Sequence, residues 1–187
     1  HYIVIFLLFC LIEGILYIFY YDRTKNEIND QVNINLEEIE KIYNSAIKQA
    51  NTSSNNFYYY YLQKNKIIEN FINAYYADTQ ERNSIRKQLQ NILINDITKN
   101  EKKRIKAVNF IFPDNTVFLR SDFPEKYGDN LSHRQMIALA NQNKLRYSGF
   151  DVGLTEVSYR YVIPLHDQYN FNGIIELKIS VDFFFDY

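Results

Sequence analysis

Cysteine is almost missing from this sequence: Cys10 is the only one in 187 residues, and it lies inside an apolar run. A disulfide framework is excluded, and a soluble part with no thiol suits an oxidising compartment. Glycine and proline are scarce as well, 5 and 3 in all, and no Gly-rich phosphate loop occurs. An excess of charge of one sign is lacking too. Lys and Arg (21) nearly cancel Asp and Glu (22), which leaves neither a nucleic-acid footprint nor an acidic tail. His133 and His166 stand far apart without a partner at metal-ligand spacing, so both are read as surface histidines and no metal is expected. Asp114, Asp129 and Asp151 adjoin turn residues, where Asp commonly bonds its own backbone. They are too sparse for a calcium loop. No Ser–His–acid or Cys–His arrangement is suggested, so neither catalytic residues nor a cofactor are expected.

What is present begins with residues 2–20, apolar almost throughout, with Glu13 as the one charge. About 20 such residues span a bilayer as a helix, and Tyr17, Tyr20 and Tyr21 fall at the far boundary, where amphipathic rings collect. No cleavage site marks a secretory signal, and an anchor is a better reading than a buried helix. Glu13 is either a contact inside a helical dimer or a tolerated charge. Residues 22–63 hold no Gly or Pro. Apolar or small residues recur there at Ile28, Val32, Leu36, Ile39, Tyr43, Ala46 and Ala50, close to a heptad seam. A dimerising stalk and a helix packed on its own domain both fit. The polar run 51–56 weakens the helix and precedes the aromatic tract 57–62. Two more helical runs follow, through Ile68, Phe71, Ile72, Tyr75 and Tyr76, then Ile85, Leu89, Ile92, Leu93 and Ile97. A charged linker, 99–104, closes this part.

After Arg104 the period changes. Residues 107–112, 117–120, 145–152, 157–165 and 172–180 are rich in β-branched and aromatic side chains between turn residues, and 132–142 is helical in pattern with Ser132 as N-cap. Helices first and strands later predict an α+β fold with a five-stranded antiparallel sheet. A turn at Asp167-Gln168-Tyr169-Asn170 pairs the last two strands and places Arg160 opposite Glu176, Ser158 opposite Lys178 and Val162 opposite Ile174. Tyr159, Tyr161 and Ile163 share the other, apolar face with Ile175, Leu177 and Ile179. That face should pack on the helix containing Ile39, Tyr43 and Ala46. Arg120, Arg134, Arg160 and Glu176 form the candidate site: guanidinium forks suit a carboxylate, and Glu176 would meet an ammonium or hold Arg160. A solvated cross-strand ion pair is the plain alternative.

Pro113-Asp114, Phe118-Leu119-Arg120, Tyr127-Gly128-Asp129-Asn130-Leu131-Ser132, Gly149-Phe150-Asp151-Val152-Gly153 and Tyr159-Arg160-Tyr161-Val162-Ile163-Pro164 occur in the order seen in one family, with Gly173 and Glu176 in the closing strand. Over residues 109–182 the chain resembles the membrane-distal module of double-Cache, PAS-like extracytoplasmic sensor domains of bacterial receptors. The resemblance implies a five-stranded antiparallel sheet with a long N-terminal helix on one face and a pocket on the other. It divides the chain into a transmembrane helix (1–21), a long stalk or packing helix (22–64), a helical cap (65–104) and a Cache module (105–187). Its expected function is ligand sensing for a chemoreceptor, histidine kinase or diguanylate cyclase, through helix displacement. The ligand is a small organic acid or zwitterion bound by Arg120, Arg134, Arg160, Glu176 and Asp151, with Tyr159, Tyr161 and Phe118 at the wall. The expected setting is the cytoplasmic membrane, with the sensor outside the cytoplasm and a homodimer as its form. A second module and second membrane helix are missing, so a fragment of a longer receptor is expected. The other class is a structural or docking module with a vestigial pocket.

Overall fold

A computed structural model describes residues 2–63, 65–99, 104–152, 157–166 and 170–184, and the side chains of 95–99 and 183 lie outside the description. The expected hairpin turn at 167–169 and Gly153 therefore fall outside the described residues. The chain divides into two compact units, 1–45 and 46–187.

The first unit is helical. It belongs to α1 (Tyr2–Asn56), which continues as a π-helical stretch, Phe57–Gln63. An 18-residue window within Tyr2–Gln63 reaches a mean hydropathy of 2.6, and this helix is long and apolar enough to cross a membrane. Its side chains from Tyr2 to Tyr21 are exposed, as are Ile28, Val32, Leu36, Ile39 and Tyr43.

The second unit is an α+β domain. It holds α2 (Ile67–Tyr76), α3 (Thr79–Lys99), β1 (Ile105–Ile111), β2 (Val117–Arg120), α4 (Gln135–Asn143), β3 (Tyr147–Val152), β4 (Val157–His166) and β5 (Phe171–Ile179), then a short 3-10 turn at Val181–Phe184. The sheet is antiparallel throughout, in the order β2-β1-β5-β4-β3. One face is apolar. Tyr159, Tyr161, Ile163, Ile175, Leu177 and Ile179 join Val108, Phe110 and Phe118 there, under Leu62, Ile67, Phe71, Leu89 and Leu93 from the helices. Phe71 is the hub, its ring 5.2 to 5.7 Å from those of Phe110, Phe112 and Phe118. A second cluster (Ile111, Val117, Leu131, Ile137, Ala140, Val162 and Ile174) seats α4 on the other face.

Expectations shift in the contact of α1, the register of the last hairpin and the cap of α4. The seam of α1 that packs on the domain is Ala46, Ala50 and Ser54, all buried, whereas Ile39 and Tyr43 are exposed at 62% and 48%. Small residues let the helix backbone approach, and the expected contact sits about a turn too early. The polar run 51–56, expected to weaken the helix, lies within α1 and ends where the π-helical stretch begins. It docks the helix: Asn51 Oδ1 accepts from the Tyr159 hydroxyl at 2.9 Å, Asn55 Oδ1 from the Tyr161 hydroxyl at 3.0 Å and from Arg146 at 2.7 Å, and Ser53 from Arg104 at 3.0 Å. The β4–β5 hairpin slides by two residues, pairing Arg160 with Lys178 and Val162 with Glu176. An even slip leaves every side chain on its expected face, so the division of faces stands. A register irregularity at Leu165/His166 accompanies the slip.

Helix α4 begins at Gln135, and Arg134 takes the N-cap position without a side-chain cap. Ser132, the expected cap, instead accepts from Asn115 Nδ2 at 2.9 Å.

Candidate functional site

On the sheet face away from α1 and α2 lies a cavity of about 990 Å³, between the strands, α4 and the β2–α4 connection. The sheet supplies Asn109, Arg160 and Lys178; the edge strand β3 supplies Asp151 and Val152; the connection and α4 supply Asp122, Lys126, Tyr127, Asp129, Arg134 and Met136; Arg120 closes β2. Volumes of roughly 300–1,000 Å³ are usual for small-molecule sites.

Local turns explain how the connection presents its charges. Asp114 Oδ1 accepts from the Thr116 amide at 2.9 Å, and Asn115 takes the left-handed conformation at φ 66° that Asn tolerates. The segment around Gly128 (φ 88°) runs back beside it, with Val117 N donating to Asp129 O and Leu131 N to Asn115 O, both at 2.9 Å. This brings Asp129 under Arg120. The guanidinium donates to both carboxylate oxygens, Nη1 to Oδ1 at 2.7 Å and Nη2 to Oδ2 at 2.8 Å, and Nη1 also reaches the Lys126 carbonyl at 2.6 Å. The fork raises the pKa of Arg120 against the effect of burial, and lowers that of Asp129 from its ordinary value. Arg120 is thus held by the protein itself.

Arg134, Arg160, Asp151 and Glu176 form a second group. Arg134 Nη2 is paired with Asp151 Oδ2, while its Nη1 lies 3.0 Å from Glu176 Oε1 and donates to Oε2 at 3.3 Å. Arg160 contributes Nε at 3.7 Å from Asp151 and Nη1 at 3.5 Å from Glu176. Asn109 Nδ2 donates to Glu176 Oε2 at 2.6 Å. Glu176 is 1% exposed, and two guanidiniums and a carboxamide offset the desolvation of its charge. The Arg160 Nε and Glu176 Oε1 are close to opposite charge but lack hydrogen-bond geometry. Lys178 Nζ pairs with Asp122 at 3.2 Å, and Lys126 lies over the Phe123 ring at 4.8 Å.

The structure thus gathers Arg120, Arg134, Asp151 and Arg160 around one cavity, with Glu176 beneath, in contact with Arg134 and Arg160. The diagonal from Arg160 to Glu176 replaces the expected opposition. Tyr159, Tyr161 and Phe118 are placed elsewhere. Alternation along β4 turns both tyrosines to the helix face, where they are buried with Phe118 in the main core. Sequence reasoning missed Asn109, Asp122, Lys126, Tyr127, Met136 and Lys178. Asn109 and Lys178 were open to the same alternation argument as Arg160, since polar residues inside buried strands mark a polar face.

No family and no curated protein matches the chain by sequence, whereas solved structures do match. The V. cholerae histidine kinase DctB sensor domain is similar at 14% identity and a TM-score of 0.56, over 82% of this chain and 59% of that one. The sensory domain of the Campylobacter jejuni chemoreceptor Tlp3 with isoleucine bound is 12% identical at a TM-score of 0.42, over 78% of this chain and 61% of that one. A domain of a putative sensory box/GGDEF family protein from Vibrio parahaemolyticus is 15% identical at 0.42, over 75% and 62%. At those lower scores the last two add nothing to the fold comparison. The chain spans about three fifths of the length of each of these structures. A long N-terminal helix, a five-stranded antiparallel sheet in the order β2-β1-β5-β4-β3 and the likeness to DctB agree: the chain has the fold of the Cache, PAS-like extracytoplasmic sensor domains of bacterial receptors.

Proposed function

We propose that this chain is the extracytoplasmic sensing part of a membrane-bound signalling receptor, a chemoreceptor, histidine kinase or diguanylate cyclase, and that its cavity takes a small zwitterionic or carboxylate-bearing solute. The observation that carries the reading is the convergence of Arg134, Arg160 and Asp151 on one cavity from α4, β4 and β3. Every guanidinium there already has a carboxylate. A simple anion must compete with Asp151 and Glu176 for it. A zwitterion replaces like with like, its carboxylate on Arg134 or Arg160 and its ammonium on Asp151, so the charge balance of the half-buried site is preserved. Zwitterions are therefore the favoured class within the expected range.

Strand β4 gives the signal a route. Arg160 belongs to the cavity, and its neighbours Tyr159 and Tyr161 hydrogen-bond to Asn51 and Asn55 of α1. A shift of β4 on binding is passed to α1, which leads into the apolar segment proposed to cross the cytoplasmic membrane. The exposed stripe Ile28, Val32, Leu36, Ile39 and Tyr43 is the proposed homodimer seam.

The full chain in detergent micelles, screened by thermal shift against amino acids, organic acids and amines, tests the reading. A solute that binds only the folded state raises the melting temperature. Amino acids are expected to do so, and both Arg134→Gln and Asp151→Asn to abolish the shift. Because the charges are already paired within the protein, the cavity is also stable when empty. A chain that no solute stabilises would instead be a structural or docking module.

A further inference from the structure

Strand β3 lies at the edge of the sheet with β4 as its one neighbour in the ladder. A strand held on one side only is the most easily displaced. Its two faces meet different partners. On the cavity face, Asp151 is paired with Arg134 and lies 3.7 Å from Arg160. On the other, the Ser148 hydroxyl is 2.9 Å from that of Tyr159, which donates to Asn51 Oδ1 of α1. Arg146, two residues before Ser148, reaches the same side by alternation. The chain arrives there from the C-cap of α4, where Lys144 takes the left-handed conformation at φ 56° and its amide donates to the Ala140 carbonyl. Arg146 thus joins α4, whose N-cap residue is Arg134, to the strand that carries Asp151.

From that joint Arg146 grips the end of α1. Its Nη1 donates to Asn55 Oδ1 at 2.7 Å and its Nη2 to the Tyr59 hydroxyl at 2.9 Å. The guanidinium carbon lies 5.6 Å from the ring centres of both Tyr58 and Tyr59, which meet edge to face at 4.9 Å. Asn55 belongs to the last turn of α1 and both tyrosines to the π-helical stretch, so one side chain brackets the point where the helical ladder changes. A π turn spans an extra residue, and its gain or loss changes the face that flanking residues present; such turns concentrate at functional sites. These partners of Arg146 are neutral, unlike the carboxylates on Arg120, Arg134 and Arg160. Attraction between charges fades slowly with distance, whereas neutral hydrogen bonds are lost with a small misalignment. The grip is therefore sensitive to position.

We propose that Arg146 is the coupling residue between the cavity and α1. When Asp151 and Arg134 change partners, β3 and the end of α4 shift, and the guanidinium of Arg146 carries that shift to the α-to-π junction. The inference rests on the sensing reading of the cavity and gives β3 a task separate from that of β4. A lysine at this position would keep the charge but lose the fork that holds Asn55 and Tyr59 together.

Amide hydrogen exchange of the full chain in detergent micelles, followed on peptides from 46–63, tests it without any solute. Arg146 is exposed, so its variants keep the fold. Arg146→Gln should speed exchange across 46–63 about threefold or more, the scale of one lost contact at an exposed site. Asp151→Asn, which releases Arg134 from the cavity side, should speed it as well, with Arg134→Gln as the second variant of that kind. Combined with Arg146→Gln, neither should add anything, because the link is already cut. Arg146→Lys should behave as Arg146→Gln. No response of 46–63 to either cavity variant, a response of equal size with and without Arg146→Gln, or full protection in Arg146→Lys would each overturn the proposal. A chain that no solute stabilises but that passes this cycle would keep the coupling and lose the sensing. A chain that an amino acid stabilises but that fails the cycle would lose the coupling alone.

Discussion

Asp129 and Gly173 show how much can rest on one residue. Asp129 owes its lowered pKa first to the hydrogen bonds from Arg120. A carboxylate with a folded-state pKa below its unfolded value adds stability above that unfolded value, near 3.8 for Asp. The contribution is lost as the pH falls from there through the lowered value. Asp129→Asn should therefore lower the melting temperature slightly at pH 7 and flatten its fall below pH 4, read by circular dichroism across a pH series. The effect is modest because Asp129 is half exposed. Gly173 is a backbone matter. Its φ is 120°, and an added Cβ would stand 2.5 Å from the Ile111 carbonyl and 3.1 Å from the Phe71 ring. Gly173→Ala should cost about 2–4 kcal/mol in chemical denaturation, combining strain with a clash against backbone.

At the scale of elements, β4 carries two duties by alternation, the cavity on one side and α1 on the other. The last turns of α1 are fitted closely at Ala46, Ala50 and Ser54. Ala50→Leu should cost about 1–3 kcal/mol by overpacking, while leaving the hydrogen bonds of Asn51 and Asn55 as the next weakest link. The same element explains what was legible in the sequence. Strand positions, the helix between the second and third strands, and the apolar face of β4 and β5 all follow from short-range pattern, and the structure bears them out. The docking of α1 follows only in part: Ala46 and Ala50 lay on the expected seam, whereas Asn51, Ser54 and Asn55 look like weak helix rather than contact until a partner surface exists. The pairing of Arg160 with Glu176 was expected, but the ion pairs of Asp129 and Asp151 were hidden. Asp129 and Asp151 read as turn residues, and only the folded connection places them on Arg120 and Arg134. The two-residue slip of the hairpin left the faces intact because side chains repeat every second position, so a wrong register still yielded the right cavity face for Arg160.

For the whole molecule, the direction of the chain across a membrane is the first matter to test. With the domain proposed to lie outside the cytoplasm, a cysteine at Asp114, the exposed residue of the Asp114–Asn115 turn, should react with a membrane-impermeant thiol reagent on intact spheroplasts. The background is Cys10→Ser, which removes the one native thiol. Labelling only after lysis would reverse the assignment. The self-neutralised charges around the cavity have a consequence for kinetics. Pairs that cancel at contact distance project little field past a Debye length, about 8 Å at physiological ionic strength. A solute arriving there is not steered, so its association rate should change little between dilute and saline media. A stopped-flow series at several salt concentrations, with a solute that stabilises the chain, would check this. On the proposed sensing role, capture of a solute at the cavity would therefore proceed at nearly the same rate in fresh and in saline surroundings.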